Sequence, residues 1–353
     1  MVRVSTVTSV DRERDDRRLA AQQLAGPPAD GVVQVIDRLL SMQAQDLRAA
    51  RLAVRARTAG LTAADVDREL EKRTLVVTWL NRGTLHLVRS QDYWLLQRLT
   101  TPQLSAGNAR RLAQEGVSPD QADRGVGAIV AAITAEGPVK RAQLREIVAA
   151  ADVPVAGQAL VHILALSAIR GLTVRGPVIG TEQGFVLVRD WLGDPPRLTD
   201  RDTDLSELAR RFLAGHGPAD ERDLARWAGI TLGEARRGLR AAGADLEERP
   251  GGLVDLAGRE GPQGRSRPKL LGGFDPLLHG WVDRTPVLGG HQSIVTRNGI
   301  FRPFALVDGQ ALATWGMSRG RVTIEPFSHI AAPVLADLER EAADVERFLM
   351  AAH

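Results

Sequence analysis

Residues 135–150 read AEGPVKRAQLREIVAA and residues 215–230 read GHGPADERDLARWAGI, one arrangement met twice at an offset of 80 residues. In each, a Gly-Pro pair (Gly137-Pro138, Gly217-Pro218) closes a helical run, and Leu144 or Leu224 takes the same place in the next. Proline has no N–H and a fixed φ, so it stops the first helix before the second begins. Hydrophobic periodicity predicts helices around Gly127–Ala135, Arg141–Ala150 and Gly157–Ile169, with LTVRGPVIG and GFVLV as a hairpin-like return. The second copy predicts helices over Leu205–Gly215, Glu221–Trp227 and Leu232–Ala242, with LEERPGGLVDL as its return. Helix, break, helix, turn, helix and β-wing is the order of a winged helix-turn-helix.

Toward the N-terminus the pattern recurs a third time. Arg12–Gln23 and Gly31–Met42 read as helices, the second with Val32, Val33, Ile36, Leu39 and Leu40 on one stripe. Asp46 is a candidate N-cap for LRAARLAVRAR, and Thr62 for a helix over Ala63–Lys72. TLVVTWLNRGTLHLV then reads as two strands around the turn signal Asn81-Arg82-Gly83. Beyond Gly261 the composition changes. Residues 261–322 hold eight basic residues against three acidic ones, an excess larger than the +3 of the whole chain. Breaks at Asn298-Gly299, Asp308-Gly309 and Arg319-Gly320 predict antiparallel hairpins. A last helix over Pro333–Met350 turns Val334, Leu338, Val345 and Leu349 inward. The expected fold is α+β and mainly α. Winged-helix units span 1–117, 118–200 and 201–260, and 261–353 forms basic β-hairpins with a closing helix.

Composition narrows the chemistry. The 353 residues are 44% hydrophobic and 25% charged, as in a globular chain of two or three compact units. Zero cysteines exclude disulfides, iron–sulfur clusters, thiolate zinc sites and a cysteine nucleophile, and fit a reducing cytoplasm. MVRVSTVTSVDRERDDRR lacks the apolar core of a signal peptide, and no apolar run is long enough to span a membrane. Lysine occurs only at Lys72, Lys140 and Lys269, so the basic charge is arginine. Arginine forks onto phosphate, although codon bias alone also yields such a composition.

Conventional enzyme motifs are absent. There is no P-loop and no complete dinucleotide fingerprint, and none of the seven histidines has metal-site spacing, so neither a metal nor a nucleotide cofactor is expected. Gly316-Met317-Ser318-Arg319-Gly320 matches a nucleophile elbow, but RVTIEPF follows it as a strand where an elbow needs a helix, which makes it a β-turn. The unusual element is Ser41-Met42-Gln43-Ala44-Gln45-Asp46. In extended backbone, Gln43 and Gln45 point to one side. Two amides there can hold a water or steady a sugar, or can simply be a polar connection between helices. Asp46 reads as a helix cap, with a carboxylate role at a sugar cation as the alternative.

Across almost its whole length the chain resembles the AlkZ-type DNA glycosylases of the winged-helix (helix-turn-helix-42) superfamily. MQAQD (42–46), TWLNRGTLHLV (78–88), LLGGFDPLLHGWVDR (270–284) and FALVDGQALATWGMSRGRVTIEPF (304–327) carry the resemblance. The family's Gln-apolar-Gln signature is matched by Gln43-Ala44-Gln45; a sister branch has Asp at the third place. The resemblance implies three tandem winged helices in a C-shape around duplex DNA. It also implies a monofunctional enzyme that hydrolyses the N-glycosidic bond of N7-alkylated purines, including bulky adducts or interstrand crosslinks, in repair or self-resistance. Gln45 then holds the water and Gln43 orients it or the sugar, or the two exchange roles. Expected DNA contacts are Arg82 and His86 on the first wing, where structural pairing is equally open, and Arg297, Arg302, Arg319 and Arg321 on the basic hairpins. Phe301 and Met317 are candidate wedges, and Trp79, Trp281 and Trp315 core residues. The partner is double-stranded DNA, bound by a monomer without a membrane. The alternative is a non-catalytic winged-helix regulator, which has no need of the glutamine pair and more often dimerises.

Overall fold

The computed structural model describes residues 8–350 except Leu198, Pro262, Gln263, Arg265, Arg297 and Asn298. After α1 (Ser9–Ala21), the first segment runs α2 (Val32–Leu39), β1 (Met42–Gln43), α3 (Leu47–Arg57), α4 (Ala63–Glu71), β2 (Leu75–Leu80) and β3 (Thr84–Arg89). Two helices the sequence reading did not place, α5 (Tyr93–Thr100) and α6 (Leu104–Gln114), lead into the second segment. That segment runs α7 (Pro119–Glu136), α8 (Arg141–Ala150), α9 (Ala159–Ile169), β4 (Thr173–Ile179) and β5 (Glu182–Leu187), followed by α10 (Val188–Leu192). The third runs α11 (Arg201–His216), α12 (Glu221–Ala228), α13 (Leu232–Ala241), β6 (Leu246–Arg249) and β7 (Leu253–Leu256). Then come β8 (Lys269–Leu271), α14 (Thr285–Leu288), β9 (Phe304–Val307), β10 (Gln310–Ser318), β11 (Arg321–Pro326) and α15 (Ala332–Met350).

All three segments share one order: helix, short strand, helix, helix, strand, strand. The short strand always closes on the last strand. Met42 and Gln43 pair with Leu87 and His86, Val139 bridges Phe185, and Ala219 bridges Val254. The connection carrying it differs in length. It is four residues in the second and third segments (137–140, 217–220) and seven in the first (40–46). Met42, Val139 and Ala219, each three residues past the preceding helix, are all buried. Asp46 and Asp220 each cap the helix that follows, accepting from the backbone N–H two residues on. The three added residues are Gln43, Ala44 and Gln45.

One expectation needs correction here. The helix read over Gly31–Met42 ends at Leu39, because Leu40 takes a positive φ of 61° and turns the chain into β1. The apolar stripe did not mark this end, since Leu40 and Met42 are as buried as the helix face.

The wings of the first two segments merge. β2 pairs with β4 at Val77 and Arg175, giving one antiparallel sheet ordered β1-β3-β2-β4-β5. Beneath it, Ile36, Leu39, Val77 and Leu87 pack in one core with Ile129, Leu144, Leu160 and Phe185. A second core joins all parts of the chain, from Leu80 and Leu96 through Phe212 and Trp227 to Leu271 and Phe304. The third segment keeps its own two-stranded sheet, β6-β7. The C-terminal strands form a four-stranded sheet, β11-β10-β9-β8, and α15 closes it with Leu338, Val345 and Phe348 buried. Trp79, Trp281 and Trp315 are buried, as expected of core residues. Arg319 and Gly320 both adopt positive φ in the β10–β11 turn, so Gly316–Gly320 is a hairpin end and not a nucleophile elbow. Around Gly299, Val295 bridges Phe301; Asn298 lies outside the described residues.

Two buried arginines fix α3, the helix that starts beside the glutamines. Arg55 donates to the Leu270 carbonyl at 2.8 Å and pairs with Glu341 (2.7 Å) and Asp344 (3.0 Å) on α15. Arg57 uses all five of its N–H donors. Nη1 and Nη2 each reach Asp275 at 2.9 Å, Nε and Nη2 reach the backbone and side-chain oxygens of Gln22, and Nη1 also reaches the Ala53 carbonyl. Both members of this pair are fully enclosed.

Candidate active site

Gln43 ends β1, the edge strand of the five-stranded sheet. The ladder runs one bond further, the Ala44 N–H donating to the Leu85 carbonyl at 2.7 Å, before the chain bends at Gln45 and Asp46. Strand alternation then sorts the side chains. Met42 and Ala44 are buried in the first core, Gln43 is half-buried on the opposite face of the sheet beside His86, and Gln45 is exposed. Each amide carbonyl is held by one donor. Gln43 Oε1 accepts from Arg82 Nη2 at 3.5 Å, and Gln45 Oε1 from the Leu85 backbone N–H at 3.3 Å. A carbonyl oxygen has two lone pairs, so each is oriented and still keeps an acceptor position.

Asp46 is the N-cap of α3, its Oδ1 accepting from the Arg48 N–H at 2.9 Å. Asn caps a helix as well as Asp does but carries no charge. Asp46→Asn is therefore expected to keep base-release activity within about threefold of the parent. A loss nearer a hundredfold, about the worth of one positioned electrostatic group, would instead give the carboxylate a part in the chemistry.

Arg82 sits in the β2–β3 turn and reaches across to the end of α12. Its Nη1 donates to the Trp227 carbonyl at 2.7 Å and the Arg226 carbonyl at 3.3 Å, a cation on a helix C-terminus. Gly229 makes this approach feasible: at φ 70°, a Cβ there would lie 2.5 Å from the Asn81 carbonyl oxygen. Burial first, then the Arg226 and Arg284 guanidinia, lower the Arg82 pKa to about 10, which leaves it charged at neutral pH.

His86 faces Gln43 across the sheet but is 2% exposed, so its ring does not present itself to a phosphate. Of the two readings left open for it, structural pairing is the one the geometry favours. Its Nδ1–H donates to the Thr84 carbonyl at 2.9 Å, and burial followed by Arg82 pushes its pKa down to about 3. His216, stacked on Phe212 in the core, is likewise pushed down to about 3 by burial. The unfolded chain binds these protons below pH 6.5 and the folded chain does not until near pH 3. Stability is thus complete above pH 6.5 and falls with pH below it, by up to about 1.4 kcal/mol per pH unit for each ring. Buried Asp223 and Asp255, held above the ordinary carboxylate range, act in the opposite sense at the acid end. The slope is therefore read by difference: denaturation of the parent and of His216→Phe between pH 6.5 and 5 should differ in slope by about 1 kcal/mol per unit.

A second wall comes from the C-terminal part of the chain. Phe274, His279 and Phe301 stack, with His279 4.5 Å from Phe301 and Phe274 5.3 Å from it. The Arg284 guanidinium lies over Phe301 at 5.3 Å, and its Nε donates to the Leu278 carbonyl at 2.6 Å. Burial, then Arg82 and Arg284, hold His279 well below its ordinary pKa, and its Nε2 is enclosed with no hydrogen-bond partner. None of Phe274, His279, Arg226 and Arg284 was singled out by the sequence reading. Three of them lie in the matched stretch 270–284, but only the fold brings that stretch to the glutamines.

The basic hairpins divide. Arg48, three residues past Gln45, donates to Met317 Sδ at 2.9 Å, which sets the β10–β11 hairpin against the start of α3. Arg319 is exposed at its tip, and Arg321 is exposed but paired with Glu346 at 3.2 Å. Arg302 is exposed beside Phe301, which itself is half-buried in the aromatic stack. Arg297 lies outside the described residues. Among the described residues there is no group of three or more His, Asp or Glu side chains placed to hold a metal, and no helix long and apolar enough to cross a membrane.

A relative from Streptomyces sahachiroi, described as an interstrand DNA cross-link repair glycosylase, is 27% identical over 357 residues, covering 94% of each chain. The solved structure of the Streptomyces sahachiroi DNA glycosylase AlkZ superposes with a TM-score of 0.80 at 24% identity over 96% of both chains, a likeness of fold. The model of the family described as DNA glycosylase AlkZ-like matches residues 36–348, β1 and the aromatic wall included. The chain therefore belongs to the AlkZ-like family of DNA glycosylases, hydrolases of N-glycosyl bonds.

Proposed function

We propose that the protein is a monofunctional glycosylase that removes N7-alkylated purines from duplex DNA, with water as the nucleophile and Gln43 and Gln45 as the groups that hold it. The observation that carries this reading is the pair of side-chain carbonyls, each anchored by one donor and each keeping one lone pair, at the end of an edge strand and the bend that follows it. An attacking water needs its protons directed at acceptors and its own lone pair left for C1′; two oriented carbonyls supply the first. Neither amide is a base. A purine alkylated at N7 is cationic and leaves without strong acid–base help, through a transition state of oxocarbenium character that carbonyl dipoles favour. Gln45, the exposed member, holds the water and Gln43, fixed by Arg82, orients it or the sugar.

A lysine Schiff base finds no support. Lys72 pairs with Glu69, Lys269 with Glu341, and Lys140 lies by the β4–β5 turn at Gly180. The three repeated segments act as winged helices on the duplex, with Arg302 and Arg319 reaching the backbone. The Streptomyces relative is described as a cross-link repair glycosylase, and unhooking of crosslinks joined through purine N7 is included in this proposal.

The test incubates the protein with duplexes carrying 7-methylguanine, a bulky N7 adduct or an N7–N7 crosslink. Free modified base and alkali-labile abasic sites are then measured. Release from any of them supports the reading. Tight binding with no release from all three would leave a DNA-binding protein.

A further inference from the structure

We infer that Arg82, Arg226 and Arg284 form a phosphate clamp that grips the backbone phosphodiester next to the nucleotide under attack. Arg82 stands beside Gln43, and the Arg226 and Arg284 guanidinia lie near enough to act on its charge. Arg82 donates to Gln43 and to the Arg226 and Trp227 carbonyls, and Arg284 lies over Phe301, whose ring contacts His279. Among the described residues, none of the three arginines has a carboxylate within ion-pair distance, although arginines elsewhere in the chain are widely paired. His279, its Nε2 enclosed, packs between Phe274 and Phe301 behind these arginines as part of the aromatic floor.

This arrangement is the wrong sign for the reaction taken alone. The alkylated base is a cation, the sugar becomes one as the bond breaks, and nearby guanidinia oppose both. The substrate offers one kind of anion at that distance, the phosphodiester that flanks the sugar. A phosphate seated among the arginines neutralises them and fixes the deoxyribose against the amides. The half-buried aromatic floor keeps water from screening the contact. Planar guanidinium forks suit phosphate oxygens, and Arg82 is already aimed by the α12 carbonyls. The clamp rests on the glycosylase reading only for the identity of the neighbouring sugar, and it holds the abasic product as firmly as the substrate.

The experiment measures binding to a short duplex with a tetrahydrofuran abasic analogue, in which single phosphates around the site are replaced one at a time by neutral methylphosphonates. One replacement should weaken the parent protein about tenfold and reduce its salt slope by about one. In Arg226→Gln with Arg284→Gln, that same replacement should change affinity by less than about twofold. Arg226 is exposed, so Arg226→Gln alone serves as a folded check and should remove part of the coupling. Equal losses in parent and variants at every position would overturn the clamp. Inhibition by sulfate without any position dependence on the DNA would also overturn it. Because binding is the readout, coupling without base release sustains the clamp while removing the glycosylase reading.

Discussion

Replacement of Gln43 and Gln45 together by alanine is expected to abolish release of 7-methylguanine, a fall of at least about a thousandfold, while duplex affinity stays within about threefold. The two halves of this expectation have different sources. Rate depends on dipoles fixed where charge develops, and removal of one such group costs about two to three powers of ten. Two that hold one water act as a unit, so each single variant should lose nearly as much as the double. Affinity depends on phosphate contacts spread over the basic surface, and neither amide is one of them. Single-turnover base release and fluorescence anisotropy on one DNA separate the two. Full activity in the double variant would refute the role assigned to the pair. Gln43→Ala also unties Arg82 from β1, so the clamp should loosen and the abasic analogue should bind somewhat more weakly than to Gln45→Ala.

The largest expected effect on stability lies away from the chemistry. Asp275→Ala leaves the Arg57 guanidinium enclosed without its counter-charge, and loss of one member of a buried pair costs about 3–5 kcal/mol. Urea denaturation followed by tryptophan fluorescence should show a midpoint moved well downward. Arg57→Met with Asp275→Leu should recover much of the loss, because the desolvation cost of both charges disappears together. If the single and the double variants fall equally, the pair is not what holds that junction. The junction matters for function because Arg57 ties α3 to α1 and to the 270–284 stretch, and thereby sets the glutamine strand against the aromatic wall.

The sequence is most legible where local chemistry decides the structure. α3 starts after its Asp46 cap, α8 runs from Arg141 to Ala150 after the Gly-Pro break, and the Asn81–Gly83 turn separates β2 from β3, all as their residues imply. It is less legible where buried surface is continuous: Leu40 ends α2 by its backbone angle, which an apolar stripe does not encode. α5 buries Tyr93, Leu96, Leu99 and Thr100 along one face, a stripe that follows β3 without a strong cap or break, and α6 buries only Asn108 and Leu112, too little apolar surface to announce a helix. The glutamine pair was visible as residue type and spacing. Its companions Arg226, His279 and Arg284 were not, because they lie about 180 residues or more along the chain from Gln43 and meet it only through tertiary packing. His86 shows the converse: a polar residue in a promising stretch that shares the face of Gln43 but is covered there by its neighbours.

The seven-residue link between α2 and α3 has one more consequence. Its two shorter counterparts pass from a buried apolar residue straight to the residue before the next helix, with nothing in the place of the glutamines. On the reading proposed above, three residues separate the copy that takes part in bond cleavage from the two that only close their sheets. A chain shortened so that Met42 runs directly to Asp46 would be the natural blank, a protein that still grips its polymer and has nothing left to cut with.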